Sequence, residues 1–380
     1  MLLSIFSSRH YHISCNCANR QLVQQGLSNC SSEQSRRSLI TKLVTLLGQI
    51  LLSNVGKNIG LAMSTASPTS SGSRNVRIID SHLHVWANTQ EAASSYPYQT
   101  SPPPPSTIID RATPVSLLSQ MSSCGVDGAL IVQPINHRFD HSYVIAALQK
   151  FPHRLKGMLL YDPSSQSVEL ALRQLQDLLS QGFVAVRFNP SLWPAGLSMS
   201  DNPSLAVYKR CGELGVPVGI MCFNGLHLHF EDICKLIQES PSTPLIIDHF
   251  GFTRLQTSDK KKNDIDNDDD DEKDHNFTKL LSLSKFPNVY IKIAALFRIG
   301  DTYPYEAVKV QRFLPLLKEF GPQRLIFGTD FPYCLEVEGE YCGAIDIVFQ
   351  WTSEYGADVQ RLIMGENSER LFGKWEDRIQ

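Results

Sequence analysis

The chain has 380 residues, 42% of them hydrophobic and 19% charged, with a formal net charge of −3. That length suffices for one large core, or for one barrel-sized domain plus an extension. The near balance of charge argues against nucleic acid or an anionic membrane as the main partner. Nine cysteines are scattered with no Cys-x-x-Cys pair, which reads as reduced-compartment usage rather than a disulfide framework or a zinc ribbon.

Residues 1–75 stand apart in composition. Arg9, Arg20, Arg36, Arg37, Lys42, Lys57 and Arg74 face a single acid, Glu33, among many Ser, Asn and Gln. A basic, Ser-rich, acid-poor leader has the character of an organelle transit peptide, which predicts a chloroplast or mitochondrion. Initiation at Met63 is the alternative, and would leave a cytoplasmic protein with a short Ser/Thr tail. The apolar run from Leu43 to Leu52 is interrupted by Gly48 and Gln49 and is too short to span a bilayer. No membrane partner is expected.

From Val76 onward, short Val/Ile-rich runs alternate with amphipathic segments. In chain order the sequence predicts strands over 76–80, 128–133, 155–160, 184–188, 216–222, 245–248, 289–293 and 324–328. The intervening helices are predicted over 114–124, 142–151, 168–181, 205–214, 230–239, 277–285, 307–320 and 344–355. Thr113-Pro114 supplies a cap followed by Pro at the first helical position, and Gly125, Gly182, Gly215 and Gly321 follow helix ends, as helix-stop chemistry requires. The strands are near-continuous apolar runs, as expected of parallel strands buried on both faces. Eight such βα pairs in about 300 residues specify a (β/α)₈ TIM barrel in an α/β domain over 76–380. A doubly wound sheet is the runner-up, and it lacks the Gly-rich nucleotide loop after the first strand.

Two segments interrupt the pattern. Tyr96 to Ser106 contains Pro102-Pro103-Pro104-Pro105, a stiff connector read as a spacer at the site-facing end of the first strand. Residues 257–276 hold nine acids against four lysines, a charged insertion expected to be disordered and exposed. A calcium loop is the sharper alternative for it, but the spaced acidic pattern and distal Glu are missing.

Barrel active sites form at the C-terminal ends of the strands, and the polar residues there are informative. Strand one runs into Asp80-Ser81-His82-Leu83-His84, and period-two alternation puts Asp80, His82 and His84 on one face. Arg187 closes strand four, Asp248-His249-Phe250-Gly251 follows strand six, and Gly328-Thr329-Asp330-Phe331-Pro332 follows strand eight. Gln133 and Lys292 lie at strands two and seven. Alone, each has a bland reading as a turn residue or structural hydrogen-bonder. Together they put three imidazoles, a carboxylate and a guanidinium on one rim. A divalent metal held by His82, His84 and Asp330 would activate water, with Asp330 as general base. His249 would bind metal or polarise a carbonyl. Arg187 presents a planar fork to a substrate carboxylate, or else makes an internal ion pair. Tyr96, Tyr98, Trp86 and Trp193 are candidate pocket walls or packing residues.

The stretch from Val76 to about Trp375 resembles the amidohydrolase superfamily. More narrowly, it resembles the amidohydrolase-related group containing pyrone-dicarboxylate lactonase and sugar-lactone hydrolases. The motifs are Ile79 to Trp86, Ile247 to Gly251, Phe327 to Pro332 and Gly365 to Phe372. The resemblance implies that His82 and His84 are the strand-one histidines, His249 the strand-six histidine and Asp330 the strand-eight aspartate. It also exposes a departure. Arg187 stands where metal-bridging members offer a Lys, and strand five ends Ile220-Met221-Cys222-Phe223 without its His, while His227 and His229 fall in the next loop. This points away from a binuclear centre and toward one zinc or manganese, or a metal-free lactonase. The function implied is opening of a lactone or related cyclic ester of a small carboxylate-bearing, anionic substrate. A metal-dependent non-oxidative decarboxylase is the second reading, and a non-catalytic metabolite-binding barrel the third. The sequence is silent on oligomeric state.

Overall fold

The apolar runs become eight strands whose two faces are both covered. In the computed structural model, which describes residues 76–255 and 268–376, these are β1 (Ile79–Leu83), β2 (Gly128–Val132), β3 (Leu155–Leu160), β4 (Phe183–Phe188), β5 (Val218–Ile220), β6 (Leu245–Ile247), β7 (Val289–Ile293) and β8 (Leu325–Phe327). They form one parallel sheet in the order β1 to β8, each hydrogen-bonded to the next. The seam between β8 and β1 is stitched by the C-terminal half of β1, the end of β8 and the loop that follows it. The Asp330 N–H donates to the His82 carbonyl at 2.9 Å and the His84 N–H to the Phe331 carbonyl at 2.7 Å. The Ser81 hydroxyl adds a bond to the Phe327 carbonyl at 2.6 Å. The architecture is a TIM barrel, as the sequence predicts.

Helices Pro114–Cys124, Ser142–Lys150, Val168–Leu179, Ser204–Leu214 and Phe230–Glu239 fall within about two residues of expectation. The Thr113 hydroxyl caps the Ser116 N–H, and Gly125 ends that helix at φ 76°, a left-handed conformation that side chains resist. The sequence reading missed the helix Thr89–Ser94, although its signal was present. Asn88 and Glu91 form a capping box there.

Two expectations need correction. The acidic insertion is not wholly unstructured: helix Asp268–Ser282 starts inside it. Its Asn276 is buried and accepts a hydrogen bond from the His227 N–H at 2.7 Å. Residues 256–267 and the leader over 1–75 lie outside the described residues. The cysteines are also not all free. Cys124 and Cys342, 218 residues apart in sequence, form a disulfide with Cα atoms 5.3 Å apart. Only the packing of helix Glu340–Ser353 on helix Pro114–Cys124 brings them together, so spacing could not reveal the pair. Among the described residues Cys211, Cys222, Cys234 and Cys334 remain free.

The proline-rich connector is anchored at its ends. The Gln99 N–H donates to the Asn136 carbonyl at 2.8 Å, and the Thr107 hydroxyl to Glu336 at 2.8 Å. Tyr96 and Tyr98 pack on Tyr143 and His137 respectively, and neither lines the cavity described below. Trp193 likewise packs on Tyr161 and Phe188.

Candidate active site

The end of β1 departs from simple alternation. The register of β1 against β2 shifts between Asp80 and Leu83, and such a bulge breaks the two-residue period. Asp80 therefore does not share the face of His82 and His84. Its fully buried carboxylate accepts bonds from the Thr329 N–H (3.0 Å), the Thr329 hydroxyl (2.6 Å) and the Tyr341 hydroxyl (3.1 Å). Burial raises this carboxyl to about 6, against the pull of those donors. Asp80 thus latches β1 to the loop that carries Asp330.

His82 is completely buried. Its Nδ1 lies 3.4 Å from Asp248 Oδ1 and 3.2 Å from Lys292 Nζ. Its Nε2 has no hydrogen-bond partner and lies 3.8 Å from Asp330 Oδ1. In His84, Nδ1 sits 2.8 Å from the Val132 carbonyl oxygen. A carbonyl only accepts, so Nδ1 carries a proton, and Nε2 lies 3.5 Å from Asp330 Oδ1. His249 follows β6 at φ 49°, with Nε2 at 3.9 Å from the same oxygen. Burial pushes His249 down to about 4 and holds His82 well below its usual range, with Lys292 adding to the effect.

Asp330 is the hub. Its φ of 63° is left-handed, a strained conformation that costs of order 1–3 kcal/mol and clusters at functional sites. Gly328 makes the approach possible, because a Cβ there would come within 2.8 Å of the His82 Cβ. Burial would raise the Asp330 carboxyl, but His249, His84 and Arg298 outweigh it and hold the group ionised, far below its usual range. Arg298 donates its Nε–H to Asp330 Oδ2 at 2.8 Å and leaves Oδ1 to the imidazoles. The sequence reading missed Arg298. It lies in the turn Leu296–Arg298 beyond β7, and the available signal was a cation just past a strand's C-terminal end.

Behind the histidines lies a buried charge cluster. Lys292 Nζ is 3.3 Å from Asp248 Oδ1, and Arg187 Nη2 is 3.2 Å from Asp248 Oδ2. Burial works to raise the Asp248 carboxyl and is outweighed by Lys292, His82 and Arg187, which hold it well below its usual range. Burial also lowers Lys292. Arg187 makes the internal pair, yet its buried Nε keeps no partner.

One ligand atom each of His82, His249 and Asp330 lie within 4.8 Å of one another, all buried. Two imidazoles and a carboxylate, with an orphaned imidazole nitrogen among them, fit a divalent cation such as zinc or manganese. His84 adjoins this group without joining it. His227 Nδ1 is 3.0 Å from Asn276, and neither His227 nor His229 belongs to the cluster or to the cavity wall, so neither supplies the strand-five ligand. Above the cluster opens a cavity of about 340 Å³, lined by His84, His249, Asp330, Arg187 and Arg298 and walled by Trp86, Phe223, Phe252 and Tyr333.

A barrel with ionisable residues gathered at the C-terminal ends of β1, β4, β6, β7 and β8 has the form of an enzyme active site. The model of the amidohydrolase family matches residues 79–374, and the chain belongs to that family. It is 27% identical over 304 residues to the 4-sulfomuconolactone hydrolase of Rhizobium radiobacter, spanning 77% of this chain and 89% of that one. Among solved structures, it superposes on a probable 2-pyrone-4,6-dicarboxylic acid hydrolase from Acinetobacter baumannii with citric acid bound. There the TM-score is 0.62 and the identity 22%, over 79% of this chain and 100% of that chain. A zinc-bound amidohydrolase from Burkholderia multivorans gives a TM-score of 0.58 at 17% identity, over 78% and 99% of the two chains. At these identities the superpositions speak for the fold alone.

Proposed function

We propose that the protein is a lactonase: it hydrolyses a lactone, or related cyclic ester, of a small carboxylate-bearing molecule. One observation carries the reading. Asp330 is ionised, with Oδ2 locked by Arg298 and Oδ1 facing three imidazoles, on the wall of a cavity that also presents Arg187. The curated relative, a lactone hydrolase, supports it. A divalent cation held by His82, His249 and Asp330 would supply Lewis acidity toward water and the ring carbonyl.

The chain's own residues supply the rest. Asp330 accepts the proton of the attacking water as its oxygen bonds to the ring carbonyl carbon. The ring C–O bond then breaks, and Asp330 returns the proton to the leaving oxygen. His84 Nε2, 3.5 Å from Asp330 Oδ1, is placed to hydrogen-bond the same water and orient it. Arg187 presents its guanidinium on the cavity wall to a substrate carboxylate, and the aromatic walls exclude bulk water.

The test joins metal analysis with turnover. A chain beginning near Arg74 should open a pyrone or muconolactone ring and contain about one zinc or manganese ion per molecule, lost in a His82→Ala/His84→Ala variant. Release of carbon dioxide with the ring intact would replace this reading with decarboxylation. The leader's composition supports an organelle address, to be checked by where a fusion of residues 1–75 to a fluorescent protein accumulates.

A further inference from the structure

Three imidazoles face Asp330, and two of them are oriented through their other ring nitrogen. His82 Nδ1 meets Asp248 and Lys292, and His84 Nδ1 meets the Val132 carbonyl oxygen. The Nδ1 of His249 is buried and has no such partner among the described residues. Its ring is set instead by the backbone and by the ring of Phe252, whose centroid lies 5.1 Å away at an interplanar angle of 75°. That backbone is strained. His249, Phe250, Gly251 and Phe252 have φ of 49°, 52°, 63° and 54° in succession, a left-handed region that side chains resist. Such a run persists only where its surroundings over-determine it. One end is tied by the Gly251 N–H to the Asp248 carbonyl at 2.9 Å. The other is held by buried Arg312, 59 residues further along the chain than Thr253. Its Nε–H donates to the Thr253 carbonyl at 2.7 Å and its Nη2 to the Arg254 carbonyl at 3.2 Å. The Thr253 hydroxyl carries the tie back to the Phe250 carbonyl at 2.8 Å. Arg312 stands on the π-helical turn Lys309–Phe313, a form frequent at functional sites, and its guanidinium lies 4.4 Å from the centre of the Phe277 ring.

We propose that Arg312 is a positioning residue for His249. From outside the cavity wall it fixes the left-handed turn, and with it the imidazole, within the group that holds a divalent cation. This rests on the cation of the proposed lactonase and not on the identity of the lactone. The hydrogen bond that ordinarily orients a metal-binding imidazole is replaced here by a clamp on the chain four residues further on. Phe252, caught between the turn and that clamp, transmits the constraint to the ring of His249.

The experiment measures the zinc affinity of the full-length protein by competition with a chromophoric chelator, which needs no substrate. Arg312→Lys keeps the charge and replaces the planar fork by a single ammonium; Thr253→Val keeps the shape and removes the hydroxyl. Arg312→Lys should bind zinc about tenfold or more weakly than the native chain, and Thr253→Val should shift in the same direction, both with a native circular dichroism spectrum. In a His249→Ala background Arg312→Lys should change the affinity by less than about twofold, because a residue acting through His249 has nothing left to act on. Native zinc affinity in folded Arg312→Lys, or an equal loss in the His249→Ala background, would overturn the proposal and leave the lactonase reading standing. Should Arg312→Lys not fold, Thr253→Val and its own cycle with His249→Ala decide the question. A native chain that binds neither zinc nor manganese would remove the cation, and the proposal with it.

Discussion

Asp330 concentrates the chemistry of the site because three constraints meet on it: a left-handed backbone, an arginine on one oxygen and three imidazoles around the other. Asp330→Asn preserves the shape and removes the base, so kcat should fall by about 10²–10⁴-fold with an unchanged circular dichroism spectrum. Near-native turnover in that variant would end the mechanism. Arg298→Met should leave the carboxylate in place but unsteadied, and lower kcat by roughly tenfold or more, the worth of one charge-assisted hydrogen bond. Substrate-saturation kinetics on the folded variant check this. Of these residues His82, His84, His249, Arg187 and Asp330 were legible, because each directly follows or ends an apolar strand. Arg298 was not, because a turn separates it from β7.

At the scale of elements, the β1–β8 seam depends on a buried hydrogen-bond cluster around Asp80. Tyr341→Phe deletes one of its donors and leaves the two Thr329 bonds, so it should cost about 1 kcal/mol, read as a lowered urea midpoint. The connection from β2 to β3 carries a pH dependence. His141 is buried, its Nδ1–H donates to the Phe139 carbonyl at 2.9 Å and its Nε2 accepts from the Leu160 N–H at 3.1 Å. Burial pushes it down to about 4, against about 6.5 when unfolded. Between those values the unfolded chain binds more protons, so the contribution is full above about pH 6.5 and is lost as pH falls toward 4. The loss is at most about 3 kcal/mol. Urea unfolding at pH 7 and pH 5 should show it, and His141→Gln should reduce the difference. The bulge that turns Asp80 away was illegible, since alternation alone assigns it to the face of His82.

At the scale of the whole molecule, the chain's last described turns close the barrel. Trp375 is 3% exposed and belongs to the apolar cluster of Ile79, Leu130, Val132 and Ile326, and Lys156 Nζ lies 4.6 Å from the centre of its ring. Gly128 leaves room for it, since a Cβ there would collide with the indole. Trp375→Ala should cost about 3–5 kcal/mol and leave KM unchanged, as measured by thermal unfolding beside steady-state kinetics. A shifted KM with unchanged stability would contradict this placement.

The amino-acid pattern alone specified the barrel and its strand order, and placed the candidate site residues on one rim. Burial on both faces writes itself as continuous apolar runs, and βα alternation forces the functional groups onto one rim. Tertiary structure decided what depends on distances between remote segments. It gathered His249, Asp330 and His82 into one buried ligand group, with His84 beside it. It joined Cys124 to Cys342, turned Asp80 outward and set Arg298 on Asp330. None of these has a periodicity or spacing to read, because each arises only when separate strands and helices close around a common centre.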